Sequence, residues 1–352
     1  SRTSHAGRNY FRCNRSQKGK LISMVTKTVE KDKKKFEIDS KLMNALSRIL
    51  ILVLLGVALT FLSPYFLTPI NLINVVSMAS VPIILALGET VVVLTGNIDL
   101  SLGATFSMGS VVAAALMKFL SVPVPLAILG GLLIGALMGF FNGLLMAKIK
   151  LPSFIGSYAL RVTITGIANA ILQGYIVYGL PDAFRFLGVG RILNIPATIY
   201  IAAASFGFLW LILNRTILGR KIYAIGANIE AARLSGIKID RIIIIVYIIA
   251  GLLAALAGML QASRVNSTHA FLGDTMLLPA IAAVVIGGTS MFGGVGGGFG
   301  TVIGALIMGL IQNGLNLIGA PSILQRFIAG IIILLAIIVD QSVRRISEER
   351  MR

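Results

Sequence analysis

The sequence predicts an all-α fold: a polytopic membrane helix bundle of about ten transmembrane helices with an inverted five-helix internal repeat. Three observations lead to it. Hydrophobic residues make up 57% of the chain and charged residues only 12%, a balance that soluble domains of this length do not reach. Apolar runs long enough to cross a bilayer recur from one end to the other. The net charge of +18 is concentrated at the termini and between those runs, without interleaved aromatic residues, so it reads as a topology signal and argues against nucleic acid as a partner. Cys13 is the sole cysteine, and the two histidines, His5 and His269, lie far apart; disulfide, metal and cofactor sites therefore have no support.

Taken in order, residues 1–47 form a cytoplasmic N-terminal tail. Its first 23 residues, polar and rich in arginine, read as a tag or leader, and Met24 offers a start before the charged run EKDKKKFEID. No secretory signal precedes the first apolar run, which stays in the membrane as an anchor. The membrane domain, 48–340, divides into spans at 48–63, 70–95, 100–118, 124–147, 152–174, 196–213, 241–262, 275–292, 297–318 and 322–340, with the second and third expected to be partly broken. A cytoplasmic tail, 341–352, closes the chain. Lys148, Lys150, the basic central loop and the C-terminal Arg344, Arg345, Arg350 and Arg352 then fall inside, while only Lys118, Arg185, Arg191 and Arg264 fall outside. An odd number of spans would put either the tail or the central loop on the wrong side.

An internal repeat is visible at an offset of about 170 residues. LGAT at Leu102 answers LGDT at Leu272, GALMGFFNGL at Gly135 answers GALIMGLIQNGL at Gly304, and Pro152 followed by Ser153 answers Pro321 followed by Ser322. A unit of five helices is odd, so the second copy must be inverted, an arrangement that places solute pathways at the repeat interface. The dense glycines of GGTSMFGGVGGGFGTVIG, from Gly287, lack a following GK[ST] and are read as close helix contacts with a tight turn.

The largest polar interruption is the loop 214–241, NRTILGRKIYAIGANIEAARLSGIKIDR. Good helix formers from Ile229 to Leu234, a carboxylate in the first turn and Gly236 as terminator predict a short helix. Glu230, Ala231, Ala232 and, after three further residues, Gly236 resemble the docking motif of permease subunits in bacterial ABC importers. Together with GNIDLSLG from Gly96 and IAAVVIGGTSMFGG from Ile281, they make the chain similar to the ribose-type sugar permeases over roughly Ile49 to Asp340. The resemblance implies no covalent chemistry and no cofactor. It implies three protein partners: an ATP-binding ABC subunit docking at Glu230, Ala231, Ala232 and Gly236, an extracytoplasmic sugar-binding protein, and a second permease subunit, identical or homologous. It also implies residence in the bacterial inner membrane. The loop can equally be an ordinary solvated loop whose charges only set topology.

Ionisable groups within spans ask for an explanation. Glu89, Asp99 and Arg161, together with the polar Thr95, Asn97, Asn142 and Asn313, are candidates for a route that hydrogen-bonds a polyhydroxylated solute. The alternative for the charges is structural: Glu89 or Asp99 pairs with Arg161 or caps a helix end. For the asparagines, the alternative is hydrogen bonding between helices. Gln312 and Asn316 are candidates of the same kind, and Trp210 reads as an interfacial anchor. Asn97, where the family more often has glycine, and the run GSYALRVTITG depart from the family pattern, which puts the solute in question. A branched-chain amino acid or a signalling sugar derivative is an alternative cargo. A secondary carrier is an alternative mechanism, though beyond Glu89 and Asp99 deep carboxylates are lacking.

Overall fold

The structure, a computed structural model, describes residue 46, residues 48–321 and scattered positions between 324 and 338. The expectations for a leader, the Met24 start and the C-terminal tail lie outside the described residues. Among the described residues from Arg48 to Ala320, twelve helices follow one another: α1 (Arg48–Leu62), α2 (Pro69–Val93), α3 (Leu102–Lys118), α4 (Val124–Leu144), α5 (Ser153–Ile171), α6 (Asp182–Val189), α7 (Ala197–Arg215), α8 (Ile217–Ala227), α9 (Ile229–Leu234), α10 (Ile239–Val265), α11 (Asp274–Ile286) and α12 (Gly298–Leu317). A five-residue π turn, Leu145–Ile149, extends α4. The described positions between 324 and 338 are helical too. Among the described residues six helices are long and apolar enough to cross a membrane; α1, α3 and α11 are apolar but shorter.

At the bundle centre stand α2 and α10, which pack on each other; α10 also packs on α3 and α4, and α2 on α11 and α12. From Ile83 to Thr95 every residue of α2 and its C-terminal turn is buried, as an all-round apolar helix must be when neighbours surround it. The expected break falls only partly where predicted. The chain leaves its helix after Val93, and α3 begins late, at Leu102, but α2 itself runs unbroken through Pro82. A proline is tolerated there because adjacent helices can satisfy the backbone group it frees.

Small residues let the helices approach closely. A Cβ on Gly258 of α10 would run into the Phe106 carbonyl of α3, and one on Gly135 of α4 would meet both Ala255 and the Gly251 carbonyl. The outer faces carry exposed Leu133, Phe141, Ile155, Val162 and Phe208, as lipid-facing surfaces require.

The two ends of α10 are dressed differently. Its last turn receives α6, where Gly188 N donates to Ser263 Oγ at 2.7 Å and Ser263 Oγ donates to the Phe184 carbonyl. Beyond it β1 (Val177–Tyr178) pairs antiparallel with β4 (Ser267–Thr268), and β2 (Arg191–Ile192) pairs with β3 (Ile195–Pro196) through a turn at Leu193 and Asn194. Its first turn receives the polar loop.

Candidate functional site

The loop begins where Thr216 ends α7 and caps α8, its Oγ1 accepting from Gly219 N at 3.3 Å. Arg215 lies over the Trp210 ring at 5.5 Å from the centroid, giving the anchor tryptophan a cationic neighbour. Asn228 then separates two helices: its backbone is extended, and its Oδ1 accepts from Ala231 N at 2.9 Å, capping α9. The helix spans the six residues the sequence predicts, with Glu230 in its first turn and 3.6 Å from Arg233 Nη1. Ala232 is buried and Ala231 exposed. Gly236 follows at φ +78 with open space around it, so what demands glycine is the backbone conformation alone. Leu234 stands 88% exposed beside it, an apolar tip on a polar loop.

Behind α9, α8 lies against two other segments that the sequence singles out. A Cβ on Gly226 would strike both Leu94 O and Gly294 N, and these two atoms are hydrogen-bonded to each other at 3.0 Å. Gly293 in turn abuts Gly96. Gly288, at φ +73, lies just past the end of α11 at Ile286, short of the predicted 292, and Gly293, Gly294, Gly296 and Gly297 also have positive φ, which makes the glycine-rich run a tight loop. Tyr223 OH donates to the Gly296 carbonyl at 2.9 Å, and burial pushes its pKa up. The polar loop, GNIDLSLG and the glycine loop therefore form one contiguous unit.

Within that unit lies a buried polar cluster. Glu89, on α2, and Asp99, in the following turn, are buried. Glu89 Oε1 accepts from Asp99 N at 3.1 Å, and Asp99 Oδ1 accepts from Ser101 N at 2.8 Å and Ser101 Oγ at 2.6 Å. Asn142, on α4, donates to Ser101 Oγ at 3.0 Å. Tyr247, on α10, is buried against α4, where a Cβ on Gly143 would stand 3.1 Å from the Tyr247 Cβ. Glu89 Oε2, Asn142 Oδ1 and Tyr247 OH are buried without a hydrogen-bond partner among the described residues. Such groups are costly to leave unpaired.

The other candidates stand apart. Arg161, on α5, pairs with Asp274 at the start of α11, at 3.0 Å, rather than with Glu89 or Asp99. Asp99 instead bonds Ser101, the residue before α3. Thr95 donates to the Val92 carbonyl and accepts from Asn97 Nδ2 at 3.0 Å, which folds the Asn97 amide back on its own turn. Asn142 and Asn313, each followed by glycine, have different surroundings: Asn313 forms a reciprocal amide pair with Asn71 of α2, at 3.0 and 3.2 Å. Sequence reading missed Tyr247, one hydroxyl in a long apolar run, and Asp274, whose only sign is its place inside LGDT.

A family model described as "Branched-chain amino acid transport system / permease component" matches residues 71–337. The ribose import permease protein RbsC of Escherichia coli K12 is 40% identical over 321 residues, covering 90% of this chain and 99% of that one. The protein of the same name in Bacillus subtilis 168 is 40% identical over 320 residues, covering 90% and 99%. The galactose/methyl galactoside import permease protein MglC of E. coli K12 is 34% identical over 312 residues, covering 83% and 92%. No solved structure matches the chain.

Proposed function

The chain belongs to the permease-component family of branched-chain amino acid transport systems, and from that membership we propose that it carries a ribose-type monosaccharide across the bacterial cytoplasmic membrane as the permease subunit of an ABC importer. The observation that carries this reading is the likeness to ribose import permeases in two organisms over 90% of the chain. In this reading a separate ATP-binding subunit docks on α9 around Glu230, Ala231, Ala232 and Gly236. An extracytoplasmic sugar-binding protein delivers solute on the other side, and a second permease subunit completes the path.

The mechanism is alternating access: nucleotide-driven closure of the motor shifts the docking loop, and the bundle passes between two arrangements. Glu89, Asp99 and Asn142 line or support the path, with Tyr247 joining them; their unpartnered oxygens suit a polyol. Thr95, Asn97, Arg161 and Asn313 are assigned to the walls around it. Ten spans, both termini cytoplasmic and the inverted repeat belong to the same reading. It is supported by matched packing: α3 on α4 answers α11 on α12, and α10 on α4 answers α2 on α12, with α3 and α11 both short.

The test is uptake by vesicles holding the chain, its ATPase and its binding protein. Labelled ribose should accumulate only with ATP inside, and Glu230→Lys or Gly236→Leu should abolish accumulation. Accumulation by the chain alone would establish a secondary carrier instead. The family description favours one other cargo, a branched-chain amino acid. Leucine uptake without ribose uptake in the same vesicles would replace the sugar.

A further inference from the structure

We propose that the basic hollow at the start of α10 binds the phosphate headgroup of an anionic phospholipid. The hollow, about 420 Å³, is lined by Lys148, Lys150, Arg233, Lys238 and Arg241, together with Ile237, Ile239 and one carboxylate, Asp240. Asp240 is already engaged by Lys148 at 2.8 Å and Arg233 faces Glu230 at 3.6 Å, which leaves Lys150, Lys238 and Arg241 without a carboxylate in salt-bridge range among the described residues. Five cations brought together from three separate segments repel one another, and a diffuse anion seated among them relieves that repulsion.

The surroundings favour a lipid over a soluble or protein anion. Lys148 and Lys150 alternate in the chain with Ile149 and Leu151, which are 60% and 41% exposed, and Phe154 and Ile155 at the start of α5 continue the exposed apolar surface. Lys150 is held at φ +59, which sets it at the bend between the π turn and α5. A cationic cavity bordered by bare apolar side chains is the chemistry of a headgroup with acyl chains descending beside it. An acidic edge of the motor subunit would meet α9 without needing that apolar border. Because Arg233 belongs to α9, the bound lipid would brace the docking helix from behind.

The experiment is native mass spectrometry of the full chain purified in mild detergent, titrated with phosphatidylglycerol or phosphatidylcholine. One phosphatidylglycerol should remain bound with at least tenfold preference over phosphatidylcholine. The triple variant Lys150→Gln, Lys238→Gln, Arg241→Gln should lose affinity on the order of a hundredfold. Lys150→Arg with Lys238→Arg, which keeps the charge, should retain the lipid and reports on folding. Glycerophosphoglycerol or inorganic phosphate at millimolar concentration should not displace it. Equal retention of the two lipids overturns the proposal, as does displacement by free phosphate. So does a Gln variant that keeps phosphatidylglycerol while losing the motor subunit. Lipid retention is read on the isolated chain, so its failure is distinguishable from failure of the transport assay.

Discussion

Glu89 uses one carboxylate oxygen on a backbone N–H and leaves the other unpartnered, so two replacements should separate its roles. Glu89→Gln keeps an acceptor for Asp99 N and should leave thermal unfolding in detergent within about 1 kcal/mol of wild type. Glu89→Ala strands that buried N–H and opens a void, at a cost of roughly 2–4 kcal/mol read in the same melt. Transport decides the rest. If the free oxygen meets solute, Glu89→Gln lowers uptake at least tenfold with its melt intact; unchanged uptake assigns the residue to packing. Much of this cluster was legible in the sequence because charge in an apolar run is conspicuous. Its closing member was not, since nothing in IIIIVYIIAG tells which way Tyr247 turns; nor was the separate pairing of Arg161 with Asp274, which depends on the register between α5 and α11 that local pattern does not encode.

At the scale of elements, α9 has six residues and cannot be stable alone, so its ends matter more than its interior. Asn228→Ala removes the cap and should cost about 1 kcal/mol locally. Amides 229–234 should exchange faster with the global melt unmoved, and ATPase stimulation should weaken; unchanged exchange would mean that packing rather than capping holds the helix. This helix was predicted to the residue because everything that defines it, from Asn228 to Gly236, lies within a few positions. The end of α11 was not, because the apolar pattern runs on into Thr289 and Met291 while the glycines after Ile286 adopt φ values that periodicity does not register. α2 passes Pro82 intact, where adjacent helices can satisfy the backbone group that the proline frees.

Across the whole molecule, α10 extends about 40 Å from the polar loop to α6. That length sets the sidedness test. With Cys13→Ser as background, a cysteine at Leu234 should react with an impermeant maleimide only from the cytoplasm, and one at Leu193, 87% exposed near the opposite end, only from outside. Labelling of both from one face would refute the orientation. A further consequence comes from the seat of α8. Where Gly226 meets Leu94 and Gly294, main chain bears directly on main chain, with no rotamer in between to absorb displacement. The joint is a strut and not a spring: a shove on the loop arrives undamped at the turn that carries Asp99, and one added methyl at Gly226 would wedge it apart.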